Sequence, residues 1–110
     1  MKYYLHITQI AERDFSQAAD YIEFVLKNPQ AADNLLAEAE KKINSLLLFP
    51  KECPLVEDQL LAFWGIRFIT VKNYLVFYVV SEEKSQVTVI RFLYAKSDWH
   101  TILKFGFSLL

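Results

Sequence analysis

At 110 residues the chain is near the usual size of one domain and too short for two good cores, so a single domain over residues 1–110 is expected. Hydrophobic residues make up 54% of it, and nine Phe, six Tyr and two Trp stand against two Gly and three Pro, a composition that excludes a disordered chain or a linker. The net charge of -1 argues against nucleic-acid binding through overall charge, unless a more basic part of the chain faces the phosphate backbone.

That small net charge hides an asymmetry. Residues 1–63 hold six Lys or Arg and ten Asp or Glu, a balance of -4, whereas residues 64–110 hold six and three, a balance of +3. The halves are expected to meet different partners, unless the acidic helix faces are simply solvated. The apolar content is rich for one small core, which leaves two readings: a large core, or a protein partner that covers exposed apolar surface. The single cysteine, Cys53, cannot form an intramolecular disulfide and lies between Glu52 and Pro54, so it reads as a bystander thiol. Met1 to Tyr4 lead into neither a long apolar run nor a small-residue cleavage site, and no 18-residue apolar stretch appears. A soluble cytoplasmic protein without membrane contact is expected.

In chain order, Tyr3 to Ile7 carries aromatic and β-branched residues and suits a short strand. Thr8 is placed to cap a helix. Ala11, Phe15, Ala18, Ile22, Val25 and Leu26 form one helical stripe, predicting a helix from Gln9 to Lys27. Asn28-Pro29 ends it and supplies the cap and first position of a second helix. The stripe of that helix is Ala32, Leu35, Leu36, Ala39, Ile43, Leu46 and Leu47, stopping before Pro50. The tight joint predicts an antiparallel helical hairpin.

Pro50 to Ala62 shows no clear period and reads as a connecting loop. Beyond it the period changes to two. Ile66 to Val71, Tyr74 to Ser81 and Gln86 to Tyr94 read as strands, joined by Lys72-Asn73 and by Glu82 to Ser85. These separators have hairpin length, with Asn73 suited to positive φ, so the three strands form an antiparallel meander. Ser97-Asp98 can cap a short final helix through Trp99, Ile102 and Leu103, while the apolar tail Phe105 to Leu110 has no place of its own. The fold class is α+β, an N-terminal helical hairpin on an antiparallel sheet.

Strict alternation in Gln86 to Tyr94 puts Val87, Val89, Arg91 and Leu93 on one face, so Arg91 interrupts an apolar row. Such an arginine needs an internal carboxylate or binds an anion from outside. Arg67 lies in a row with Ile69 and Val71 and poses the same question. Tyr94, Lys96 and His100 follow the last strand; with the arginines they suit acid-base work on a phosphodiester, and otherwise are a packed aromatic, a solvated cation and an exposed helix residue. The sequence holds no metal-ligand spacing, glycine-rich phosphate loop or Ser-His-Asp arrangement, so no cofactor or metal is expected.

Several stretches together resemble the RelE/ParE superfamily of bacterial toxins. They are Ala11 to Ile22, Asn28-Pro29 with Ala31-Ala32, Leu46 to Pro50, Gly65-Ile66-Arg67, Asn73 to Tyr78, Val89 to Tyr94, and Asp98-Trp99 with Ile102-Leu103. The resemblance implies a helical hairpin on a twisted antiparallel sheet of about four strands with a short C-terminal helix. It also implies the toxin of a type II toxin-antitoxin operon, a plasmid-stabilisation and growth-inhibition system, held inactive by a cognate antitoxin that wraps its apolar and basic surface. A higher-order toxin-antitoxin oligomer is compatible with that role.

The superfamily divides by target. Its RelE-like branch cuts messenger RNA on the ribosome with several Lys and Arg on the central strands, an Arg after the Tyr of the second meander strand, and a Tyr or His near the C-terminus. Here Leu75 follows Tyr74, the first meander strand offers only Arg67, and Ser97 stands where a basic residue is common. As a ribonuclease the chain would use Arg67, Arg91, Tyr94 and Lys96, and that set is incomplete. Tyr74 to Tyr78 with Ile90-Arg91 is more similar to the ParE-like branch, which poisons DNA gyrase without being hydrolytic, although that branch often has His in the place of Tyr94 and Arg around Lys96 and Ser97. A binding-type toxin would act through Arg67, Arg91, Lys96 and the tail Phe105 to Leu110. A decayed toxin that only binds its antitoxin is a third reading and fits the acidic charge.

Overall fold

A computed structural model describes residues 2–108, with side chains to residue 105. Strand β1 (Tyr4–Ile7) leads into helix α1 (Gln9–Asp20), which continues as a π-helix (Tyr21–Val25), then α2 (Pro29–Leu46) and α3 (Gln59–Phe63). The meander β2 (Arg67–Val71), β3 (Tyr74–Ser81) and β4 (Gln86–Tyr94) follows, and α4 (Trp99–Ser108) closes the chain. The fold is α+β, and each part has a local cause. The Thr8 hydroxyl accepts the Ala11 N–H at 3.1 Å and caps α1. Asn28 does the same for Ala31 at 3.1 Å, with Pro29 in the first turn of α2 where its missing N–H costs nothing.

The four strands run in the order β1-β4-β3-β2. β2, β3 and β4 pair antiparallel as their spacing predicts, but β1 joins the free edge of β4 in parallel, so the sheet is mixed rather than wholly antiparallel. Alternation within a strand says nothing about which strand lies beside it. The helical hairpin carries the chain from β1 to the opposite edge, and the meander then returns to it in the parallel sense.

One sheet face packs against the hairpin through Leu35, Ala39, Ile43, Val76, Tyr78, Val87, Val89 and Phe92. The other packs against α3, α4 and the preceding loop through Val56, Leu61, Phe77, Leu93 and Leu103. Burial on both faces explains why β3 reads as a nearly continuous apolar run.

Four further expectations change. The first helix ends its α-helical hydrogen bonding at Asp20, its wider π-turn leaves Tyr21 and Phe24 51% and 66% exposed, and Lys27 at φ 55° turns the chain into α2. Within the expected loop, Asp58 accepts the N–H groups of Leu60 and Leu61 at 3.0 and 3.2 Å and starts α3, a helix too short to show a period. The final helix reaches Ser108, taking in most of the tail expected to lack a place; residues 109–110 lie outside the described residues. In the β2–β3 turn the left-handed residue is Lys72 (φ 54°) instead of Asn73.

Candidate functional site

Alternation in β4 is broken by a bulge. Tyr78 pairs with Val89 but Phe77 pairs with Arg91, so Ile90 is an extra residue and every position after it changes face. Val87 and Val89 therefore share the hairpin face with Phe92, while Leu93 lies in the opposite cluster. The row of Val87, Val89, Arg91 and Leu93 expected from strict alternation does not form.

Helix α1 satisfies the groups that the bulge exposes. Past Ile7 there is no β1 residue beside β4; instead the Thr8 N–H donates to the Val89 carbonyl at 3.1 Å and the Thr8 hydroxyl to the Ile90 carbonyl at 3.2 Å. Asp14, only 8% exposed, accepts the Phe92 N–H at 3.0 Å and two Arg91 bonds, from Nε at 2.7 Å and Nη2 at 3.0 Å. Arg91 is thus held in a forked ion pair by a carboxylate 77 residues away.

Arg67, on the opposite edge strand, donates to the carbonyls of Lys51 and Cys53 at 3.3 and 2.6 Å. Next to it the Tyr78 hydroxyl donates to the Pro50 carbonyl at 2.6 Å, and burial pushes its pKa far above the usual tyrosine value. Arg67 and Tyr78 together pin the chain after α2 against the sheet. Cys53 is partly buried, and its carbonyl is part of that arrangement.

Tyr94 and Lys96 are both exposed. The Tyr94 ring meets Tyr74 edge-on with centroids 5.7 Å apart, Tyr74 stacks on Phe92 at 4.9 Å, and Phe92 stacks on Phe15 of α1 at 4.2 Å. This aromatic column runs from the hairpin side of the core to the surface. Burial raises the pKa of Tyr74, with Tyr21 and Tyr94 adding to the effect. His100 stacks on Trp99 with centroids 3.6 Å apart. Arg67 and Arg91 therefore sit on strands separated by β3, each bound to protein groups, and Tyr94 and Lys96 stand at and beyond the end of β4. Sequence reasoning missed Asp14, which looked like one polar residue among many on α1; its only sequence signal is a carboxylate between Ala11, Phe15 and Ala18 of the apolar stripe.

Apolar surface is widespread. Besides Tyr21 and Phe24, exposed large residues include Tyr4, Phe49, Phe63 and Phe105. A groove between β1 and the hairpin is lined by Leu5, Ile7, Phe15, Leu36, Ala39 and Ile43. Among the described residues no cluster of His, Cys, Asp and Glu is arranged to hold a metal ion, and no helix is long and apolar enough to cross a membrane.

Comparison with known proteins agrees with this architecture. A search of curated protein sequences returns no significant match. Among solved structures, the chain is similar to one in the chromosomal ParDE toxin-antitoxin system of P. aeruginosa, at a TM-score of 0.70 and 16% identity over 86% of this chain and 98% of that one. It is also similar to a chain of the RelBE2 toxin-antitoxin complex of Mycobacterium tuberculosis (TM-score 0.61, 18% identity, 86% of this chain and 99% of that one). A third similar chain belongs to the intact E. coli RelBE toxin-antitoxin complex (TM-score 0.59, 18% identity, again 86% and 99%). Similarity at this identity speaks for the fold; the family model described as ParE toxin of type II toxin-antitoxin system, parDE, matches residues 5–99, and the chain belongs to that family.

Proposed function

We propose that this toxin acts by binding its target, as a DNA gyrase-type poison, and that a cognate antitoxin neutralises it. The observation that carries the binding reading is the engagement of both candidate arginines. Arg91 is committed to Asp14, and Arg67 to the Lys51 and Cys53 carbonyls. A ribonuclease needs cations free to hold phosphate beside an acid and a base within reach of one proton. Here β3 lies between the two arginines, which is roughly 10 Å at the usual strand spacing. Tyr94 and Lys96 remain as the accessible polar groups of the set, and they serve contact better than cleavage.

The spread of exposed apolar residues over the hairpin tip, β1, the loop after α2, α3 and α4 supports an antitoxin that wraps the domain. The relatives described as ParDE and RelBE systems are toxin-antitoxin assemblies, in keeping with such a partner. Cytoplasmic action follows from targets of this kind.

Induced expression of the chain alone in a bacterial host, with and without its antitoxin gene, tests the proposal. Growth arrest with intact transcripts and a DNA-damage response, relieved by the antitoxin, is expected. Cuts positioned at codons within messenger RNA, abolished by Tyr94→Phe, would instead assign Arg67, Arg91, Tyr94 and Lys96 to catalysis.

A further inference from the structure

We infer that Thr8 and Asp14 of α1 form a template that selects the bulged register of β4, making Asp14 and Arg91 positioning residues that fix the face on which Tyr94 is displayed. Ile90, Phe92, Leu93 and Tyr94 are apolar or aromatic at both parities, so hydrophobic patterning alone distinguishes the two registers poorly in this stretch. The alternative is a regular ladder continued from Ser81 and Gln86. It would pair Tyr74 with Leu93 and turn Phe92 and Tyr94 toward the α4 side of the sheet. It would also aim Arg91 into the hairpin-facing core.

Two backbone groups distinguish the registers. In a regular strand the carbonyl of residue 90 and the N–H of residue 92 both point toward β3, because residue 89 points toward β1 and the direction alternates. In the bulge both point outward, and each meets a side chain of α1: the Ile90 carbonyl the Thr8 hydroxyl, and the Phe92 N–H the Asp14 carboxylate. Asp14 also takes the arginine that the bulge swings out of the row. These contacts exist only if the strand gains its extra residue at Ile90, and that residue brings Tyr94 against Tyr74.

The functional part of this inference rests on the reading that the Tyr94 end meets the target, and the test separates the two. Full-length protein labelled for NMR reports the Tyr74–Tyr94 ring contact as cross-peaks. Asp14→Ala is expected to remove them while leaving a folded sheet. Deleting Ile90 in the Asp14→Ala chain is expected to restore them, since a regular ladder without that residue again pairs Tyr74 with Tyr94. A purely stabilising Asp14 predicts the opposite, because a deletion in a core strand would worsen the damage. Cross-peaks retained in folded Asp14→Ala protein would overturn the inference, as would failure of both chains to fold. Growth arrest lost in the single variant and regained in the double one would tie the register to toxicity. Arrest that ignores the register would overturn the working role of Tyr94 while leaving the template in place.

Discussion

Replacing Arg91 by Met keeps most of the side-chain length and removes both the charge and the forked donors. The Asp14 carboxylate then stays sheltered, at 8% exposure, with the Phe92 N–H as its remaining partner among the bonds described above. Breaking a fully buried ion pair costs about 3–5 kcal/mol; Arg91 is 24% exposed, so water can reach part of the vacated site and about 2–3 kcal/mol is expected. For a domain of this size that lowers the melting temperature by roughly 10 °C. Asp14→Asn, which keeps an acceptor for the Phe92 N–H, should cost less, about 1–2 kcal/mol. The double variant should fall short of the sum by about 1–2 kcal/mol, because the first change already breaks the pair. Thermal unfolding of the four proteins followed by circular dichroism measures the cycle. An Arg91→Met protein melting within about 2 °C of the parent, or strictly additive changes, would refute the assignment of Arg91 to Asp14 and return the arginine to the pool of target-binding cations.

Tyr78→Phe leaves the Pro50 carbonyl without its buried donor and should cost about 1–2 kcal/mol, read as a lower urea midpoint with unchanged slope. Because burial raises the Tyr78 pKa, the folded state favours the neutral phenol. Its contribution holds below the ordinary tyrosine pKa and is lost as pH rises through the folded value, so a spectrophotometric titration of the parent against Tyr78→Phe should show the Tyr78 phenol ionising above the ordinary tyrosine range. At the other end of the scale, the hydrogen bond from Lys104 holds the Asp58 carboxyl below its ordinary value of 3.8, against a smaller opposing effect of desolvation. A depressed carboxyl stabilises above its unfolded pKa and loses that effect as pH falls through the folded one, so the α3–α4 tie should loosen only in acid. Lys104→Gln should move the Asp58 titration seen by NMR back toward 3.8. Thr8→Ala removes both the α1 cap and the donor to Ile90 and should cost about 1–2 kcal/mol in the same denaturant assay.

Helices α1 and α2 and the meander were legible in the sequence because their apolar patterns are long and their stop signals, Asn28-Pro29 and Lys72-Asn73, interrupt those patterns. What escaped has physical reasons. The parallel placement of β1 depends on the path of the hairpin and not on residues within Tyr4 to Ile7. The bulge at Ile90 follows a strand that is apolar on both sides, where a one-residue slip leaves the pattern intact. Helix α3 spans five residues and rests on one Asp58 cap. For the site, the sequence posed the right question about Arg91, internal carboxylate or outside anion. The answer lay 77 residues upstream, in a contact no local pattern encodes. Tyr94 and Lys96 were singled out by their place after the last strand, and their exposure at and beyond the end of β4 is compatible with a contact role.

The most direct test of the binding mechanism uses purified protein. Supercoiled plasmid, DNA gyrase and ATP are incubated with the chain, then treated with detergent and protease to reveal trapped double-strand breaks, with the antitoxin complex as a control. Linear DNA that requires gyrase, depends on toxin dose and disappears with antitoxin is the predicted result. Intact plasmid at every dose, together with cleavage of ribosome-bound messenger RNA by the same preparation, would contradict it.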